Sequence, residues 1–283
     1  MSERIDAHHH LWCYEKEQYG WIEENMRVLA RDFLPKDLER ELALSELDGS
    51  IAVQARQSMA ETAWLLSLAD ECNAIRGVVG WAHIAGPEFP RELEKLWRPE
   101  KLKGLRHVVQ DEPDDEYLLR PDFNRGIAQL KRLGLVYDIL IFERQLPAAI
   151  AFVDRHPEQV FVLDHIAKPR VRDRALEPWR TNIRELARRE NVYCKLSGMV
   201  TEANWTDWRC ADLKPYFDVV LDAFGPKRLM AGSDWPVCCL ATTHREWFST
   251  IDELIGGLSV AERELILGGV AIKVYSLKPA GDE

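Results

Sequence analysis

Cysteine is scattered through this chain, but nowhere in an arrangement that would frame a fold. Cys13, Cys72, Cys194, Cys210, Cys238 and Cys239 form no Cys-x-x-Cys pair, and the adjacent Cys238 and Cys239 make a poor disulfide. They read as reduced thiols packed in the interior, with Cys13 and Cys238 flanking the motifs described below. No run of about 18 apolar residues occurs, which excludes a membrane-spanning helix. Near the N-terminus there is neither the basic nor the apolar stretch of a secretory leader, so the cytoplasm is the expected address. No Gly/Ser linker, low-complexity tract or internal repeat divides the chain. A surplus of positive charge is also missing: 47 acidic residues face 37 basic ones, for a net charge of −10. That balance leaves no electrostatic footprint for nucleic acid or an anionic membrane surface. A neutral or weakly charged small molecule fits best as partner.

What is present is a regular alternation. Short apolar or β-branched runs at 4–7, 50–55, 78–84, 102–108, 136–140, 160–163, 192–196 and 229–232 read as eight strands. Between them, segments such as 35–47, 61–74, 122–133, 145–155, 177–189 and 212–224 carry the helical period. Leu65, Leu68, Ala69 and Cys72 share one stripe of the second of these. Ser259-x-x-Glu262 ahead of Leu265-Ile266-Leu267 is a capping box opening a closing helix. Eight βα units with nearly continuous apolar strands predict a parallel (β/α)₈ barrel, an α/β fold formed as a single domain over 1–283. An open doubly wound sheet is disfavoured because no Gly-x-Gly-x-x-Gly fingerprint follows an early strand. The Asp/Glu-rich segment 110–120 reads as a solvated loop after the fourth strand.

Three strand ends carry chemistry. Asp6-Ala7-His8-His9-His10 closes the first, and alternation puts His8 and His10 on one face with His9 opposite. Phe161-Val162-Leu163-Asp164-His165 closes the sixth, and Leu229-Met230-Ala231-Gly232-Ser233-Asp234 the eighth. In a (β/α)₈ barrel, polar residues at C-terminal strand ends read as catalytic. Singly, each has a structural reading, as a helix-capping carboxylate or a hydrogen-bonded core imidazole. Jointly, His8, His10, His165 and Asp234 are expected to converge on one point.

The chain resembles the amidohydrolase superfamily, in its amidohydrolase-related sugar lactonase branch. The resemblance rests on ordered stretches along nearly the whole chain. They include Ile5-Asp6-Ala7-His8-His9-His10-Leu11-Trp12, Val53-Gln54-Ala55-Arg56 and Gly104-Leu105-Arg106-His107. They continue with Leu163-Asp164-His165-Ile166-Ala167-Lys168-Pro169, Cys194-Lys195-Leu196-Ser197-Gly198, Thr201-Glu202-Ala203 and Gly232-Ser233-Asp234-Trp235-Pro236. The resemblance implies hydrolysis of a sugar lactone, such as L-fuconolactone, to the aldonic acid. It implies that His8, His10, His165 and Asp234 surround one divalent metal (zinc), or the lactone carbonyl itself without a metal. No carboxylated-lysine bridge is apparent, because Lys195 at the end of strand seven is not at the bridging position. One metal or none is therefore expected rather than two.

Asp234 is the expected general base and acid, with His165 as its catalytic partner. Arg106, His107 and Lys168 are candidate polar contacts to substrate, although pairing with loop carboxylates such as Asp111 and Glu112 explains them equally well. Trp12, Trp81 and Trp235 adjoin the motifs and are candidate platforms for a sugar ring. Trp64, Trp179 and Trp247 sit in helical patterns and read as packing. His83, His156 and His244 read as structural or surface residues, although His83 is placed at the end of the third strand, where it could face the pocket. Amide hydrolysis or non-oxidative decarboxylation by the same His/Asp set, and a non-catalytic metal- or sugar-binding barrel, stand as alternatives.

Overall fold

The computed structural model describes residues 2–278; residues 1 and 279–283 of the predicted barrel lie outside the described residues. Eight strands follow one another in a single all-parallel sheet in chain order. They are β1 (Ile5–His9), β2 (Gly49–Val53), β3 (Ile75–Gly80), β4 (Leu102–Val108), β5 (Val136–Leu140), β6 (Phe161–Leu163), β7 (Val192–Leu196) and β8 (Leu229–Ala231). The ring closes between the end of β8 and β1. There, the Asp234 N–H donates to the His8 carbonyl at 2.8 Å, and the His10 N–H donates to the Trp235 carbonyl at 2.6 Å. The fold is thus the expected (β/α)₈ barrel.

The connecting helices are α1 (Pro35–Leu44), α2 (Met59–Glu71), α3 (Phe89–Leu96), α4 (Pro121–Leu130), α5 (Leu146–Asp154), α6 (Trp179–Leu186), α7 (Cys210–Phe224) and α8 (His244–Leu254). Their starts follow local rules. Pro35 and Pro121 occupy first turns, where no backbone donor is needed. Ser58 accepts the Glu61 N–H to begin α2, and Thr243 and Glu246 cap α8 reciprocally. Ser259 and Glu262 form the predicted box at the start of α9 (Val260–Glu264). That segment runs on through one π-helical stretch, Leu265–Gly269, into α10 (Val270–Val274).

Two layers of core result. The larger lies between strands and helices, where Trp179 and Trp247 are fully buried and Trp64 is half-buried. The smaller lies inside the barrel: Ile5, Ala7, Ile51, Val53, Val79, Val136, Val162 and Met230 pack against Val270, Ala271, Tyr275 and Leu277. The last helical segment therefore plugs the N-terminal mouth. The C-terminal ends of the strands form the opposite mouth.

Several boundaries differ from the sequence reading. The third strand is Ile75–Gly80 rather than 78–84, because Ile75 and Gly77 pair with β2 although a glycine interrupts the apolar run. It stops where Thr62 captures the Trp81 N–H at 2.8 Å. His83 consequently lies beyond the strand, exposed and hydrogen-bonded to Glu92 of α3. It does not end a barrel strand. The 110–120 loop is a mostly solvated β4–α4 connection, but Tyr117 and Leu118 fold back into the core. Among the described residues, no helix is long and apolar enough to cross a membrane.

Tyr275 reaches up from the plug, and its hydroxyl bridges both carboxylate oxygens of Asp138 on β5 at 2.8 and 2.9 Å. Tyr275→Phe leaves that buried carboxylate short of a donor and is expected to lower stability by about 1–3 kcal/mol. Urea unfolding measures this; an unchanged midpoint would show that the plug is held by apolar contact alone.

Candidate active site

At the C-terminal mouth the predicted four side chains meet, all nearly or wholly buried. His8 Nε2 and His10 Nε2 are 3.2 Å apart. Asp234 Oδ1 lies 3.2 Å from His10 Nε2, 3.7 Å from His8 Nε2 and 3.8 Å from His165 Nε2. The backbone that delivers two of them is unusual. His165, Ile166, Ala167 and Lys168 all have left-handed φ, between 46 and 62°, and Asp234 has φ 58°. Non-glycine residues adopt this region at an energetic penalty, and such strain clusters at functional sites. Close packing holds the turn after β6. A Cβ on Gly198, itself at φ 64°, would sit 2.6 Å from His165 Nδ1, so only glycine fits there.

The imidazoles are oriented from behind. His10 Nδ1 donates to the Val53 carbonyl at 2.8 Å, which turns Nε2 toward Asp234 Oδ1, its hydrogen-bond partner at 3.2 Å. His165 Nδ1 pairs with Ser197 Oγ at 2.8 Å and likewise turns Nε2 inward. His8 Nδ1 faces Lys195 Nζ at 3.2 Å and Asp164 Oδ1 at 3.4 Å. Beneath His8 runs a fully buried ionic network. Lys195 pairs with Asp138 at 2.5 Å and Asp164 at 3.0 Å, and Arg106 Nη1 pairs with Asp164 at 2.9 Å. Arg106 also donates to the Gln54 carbonyl and approaches His8 Nε2 at 3.3 Å.

These surroundings set the protonation states. Burial pushes the His165 imidazole down to about 4, against the opposing pull of Asp234 and Asp164. Burial likewise holds His8 well below the usual histidine range, opposed by Asp164 and reinforced by Lys195. For Asp234, burial acts upward, but His165, His10 and Lys168 together bring its carboxyl below the ordinary value. At neutral pH the site is therefore one carboxylate among neutral His8 and His165, the combination that binds a divalent cation or accepts a proton from water.

The donor set fits such a cation. Bonds of about 2.0–2.1 Å to a tetrahedral zinc separate neighbouring ligand atoms by about 3.3 Å, close to the observed spacings. His8, His10 and Asp234 bring ligand atoms within 4.8 Å of one another. Rear hydrogen bonds to two of the imidazoles are what metal-binding histidines ordinarily have.

The remaining predicted residues are placed differently. Arg106 is buried in the ionic network and pairs with Asp164 rather than with a loop carboxylate. His107 is held on both sides, by Glu112 at 2.7 Å and the Trp81 indole N–H at 3.2 Å, and stacks on Tyr117. Lys168 is half-buried with its ammonium over the Phe142 ring. Trp12 is a correction: it has no exposed surface, packs on Tyr19, Trp21 and Phe33, and donates its N–H to the Arg31 carbonyl. It presents no free face to a sugar. Trp235 is also buried, edge-on to Phe33, and Trp81 keeps only 6% exposure. Cys13 is exposed and Cys238 is buried, its N–H bonded to the Asp234 carbonyl. Of the two alternatives, structural or surface, His244 is structural, buried between Ser45 and Asp6, and His156 is half-buried and bonded to Asn124. Asp138, Tyr275, Gln54 and Asp6 escaped the sequence reading. Asp138 did leave a signal, a lone acidic residue within the apolar run of β5.

A barrel whose strand ends gather three imidazoles around a carboxylate has the architecture of the amidohydrolase enzymes. The amidohydrolase family model matches residues 5–277, and the chain belongs to that family. It is 46% identical to an L-fucono-1,5-lactonase of Burkholderia multivorans over 99% of this chain and 98% of that protein. To a second L-fucono-1,5-lactonase, from Burkholderia ambifaria, it is 34% identical over 100% and 99%. A crystal structure of an amidohydrolase from Burkholderia multivorans with bound zinc superposes with a TM-score of 0.94 at 46% identity, covering 98% of this chain and all of the other.

The buried neutral imidazoles have a consequence for stability. His9, on the outer side of β1, is also pushed down by burial to about 4. Unfolded histidines titrate near 6.5, so between about pH 6.5 and 4 the unfolded chain binds protons that folded His9 and His165 exclude. Stability is complete above that window and falls on acidification, by about 1.4 kcal/mol per pH unit for each imidazole. Urea midpoints at pH 7, 6 and 5 in the presence of chelator should show this, and His9→Leu should flatten the slope. A pH-independent midpoint would contradict it.

Proposed function

We propose that this protein hydrolyses a sugar lactone, L-fuconolactone or a close relative, to the corresponding aldonic acid. One observation carries the reading: three imidazoles and Asp234 converge in a chain similar along its whole length to L-fucono-1,5-lactonases. Lactone hydrolysis needs an activated water, stabilisation of a developing oxyanion, and a proton for the departing ring oxygen. The Asp234 carboxylate takes the proton from water and returns it to the ring alkoxide as the acyl–oxygen bond breaks. His8 and His165 line the proposed position of the carbonyl oxygen, and each can present an Nε2–H there when its Nδ1 accepts from Lys195 or Ser197, a donor worth most in a largely desolvated site. Those four residues would also hold a divalent metal such as zinc, which when bound polarises the carbonyl.

Lys168 beside Asp234 favours the ionised base and lies where a sugar hydroxyl can reach it. Arg106, His107 and Trp81 complete the proposed polar lining, and Trp235 braces it from behind Asp234. The proposed partner is a small neutral lactone rather than nucleic acid or membrane. A cytoplasmic location is part of the proposal, supported by six cysteines that all stand as free thiols.

Asp234→Asn should retain the fold and keep less than a few per cent of wild-type turnover; a more active variant would remove Asp234 from the role of base. A pH-indicator assay over L- and D-aldonolactones, with and without chelator, tests the reaction itself. Proton release from a lactone is the expected result, and chelation reads out the need for metal. Release of CO₂ from an aromatic acid, or binding of lactone without turnover, would overturn the proposal.

A further inference from the structure

The first strand contains a fault that the site needs. Asp6 pairs with Ser50 and His9 with Ala52, so β1 advances three residues while β2 advances two. One residue is extra, which defines a β-bulge. Ile5 and Ala7 face the barrel interior among its apolar side chains. Strict alternation from them would turn His8 outward, toward the helices, and His9 inward. The bulge resets the phase, so that His8 and His10 enter the site. His9 is left buried outside, with neither ring nitrogen partnered.

Asp6 holds this irregularity. It is fully buried and points outward, and four donors converge on its carboxylate. Oδ1 accepts the His8 N–H at 3.1 Å, within the bulge, and the Ser233 N–H at 2.8 Å. Oδ2 accepts the Ser233 hydroxyl at 2.6 Å and His244 Nε2 at 3.1 Å. His244, at the start of α8, is fixed in turn by Ser45 Oγ at 2.7 Å from Nδ1. The Ser233 hydroxyl oxygen accepts the Trp235 N–H at 2.8 Å, so Asp6 and Ser233 tie down both sides of the left-handed Asp234. The seam has no slack, since a Cβ on Gly232 would lie 2.9 Å from that of His8.

We propose that Asp6, braced by His244, is a positioning residue for catalysis: it fixes the bulge that brings His8 into the site and the turn that presents Asp234. Asp6 touches neither substrate nor reacting atoms; it acts through the backbone of the two residues that do. The catalytic part of this inference rests on the lactonase reading, while the geometric part does not.

Two variants test it, Asp6→Asn and His244→Gln, each confirmed folded by near-ultraviolet circular dichroism. In Asp6→Asn an amide N–H₂ faces the Ser233 hydroxyl or His244, so the clamp loses an acceptor without losing volume. The expected result for Asp6→Asn is a fall in kcat of about 10- to 100-fold with KM within about threefold, since groups that orient active-site ligands ordinarily act at this level. Zinc affinity, measured by competition with a chromophoric chelator, should fall by a similar factor. His244→Gln should move both quantities in the same direction and supplies the test if Asp6→Asn does not fold. A folded Asp6→Asn protein with kcat and zinc affinity both within threefold of the parent would overturn the proposal. If the parent hydrolyses no lactone, the lactonase reading fails, and zinc affinity alone decides the positioning role. A tenfold loss then supports it and an unchanged affinity rejects it.

Discussion

The mouth of this barrel depends on keeping His8 and His165 neutral and Asp234 charged in a nearly buried volume. Desolvation alone would neutralise Asp234 and leave no base. His165, His10 and Lys168 around it bring its carboxyl below the ordinary value, and burial pushes His165 and His8 below the usual histidine range. A carboxylate amid imidazoles whose Nε2 atoms point inward, as lone pair or as N–H according to tautomer, can take either of two occupants, a cation or a lactone carbonyl with its water.

That balance is underwritten one layer down. Asp138 and Asp164 face Lys195 and Arg106 in the centre of the barrel, two negative groups against two positive ones, all buried. Removing any one member would strand an uncompensated buried charge. The network also links the two ends of the molecule. Tyr275 in the C-terminal plug bonds Asp138, Asp138 pairs with Lys195, and Lys195 meets His8. Apolar packing closes the bottom of the barrel, but the polar stem of one tyrosine ties that closure to the site.

Much of this was legible in the sequence. Eight apolar runs at regular spacing announce the barrel, because strands buried on both faces must be nearly continuously hydrophobic. The strand-end positions of His8, His10, His165 and Asp234 follow from the same rule, since the C-terminal mouth is where a barrel can present polar groups. The third strand begins three residues before the expected position, since Gly77 looks like a boundary, and ends four residues before it, where Thr62 on α2 takes the Trp81 N–H. Trp12 looked like a sugar platform from its neighbours His10 and Leu11; only the packing of the 13–34 loop shows that both its faces are covered.

By itself, then, the sequence determined the strand count, the mouth at which chemistry would occur and the four side chains gathered there. Periodicity and residue type carry that information locally. Only the tertiary structure decided which way His8 points, because a one-residue bulge inverts a strand's alternation and leaves no mark in composition. Only it revealed Asp6, Asp138 and Lys195 as supports, since their partners lie 238, 137 and 187 residues away in the chain, at His244, Tyr275 and His8. Contacts at that separation exist only once the barrel has closed, and the closure sets the orientation and charge of every group at its mouth.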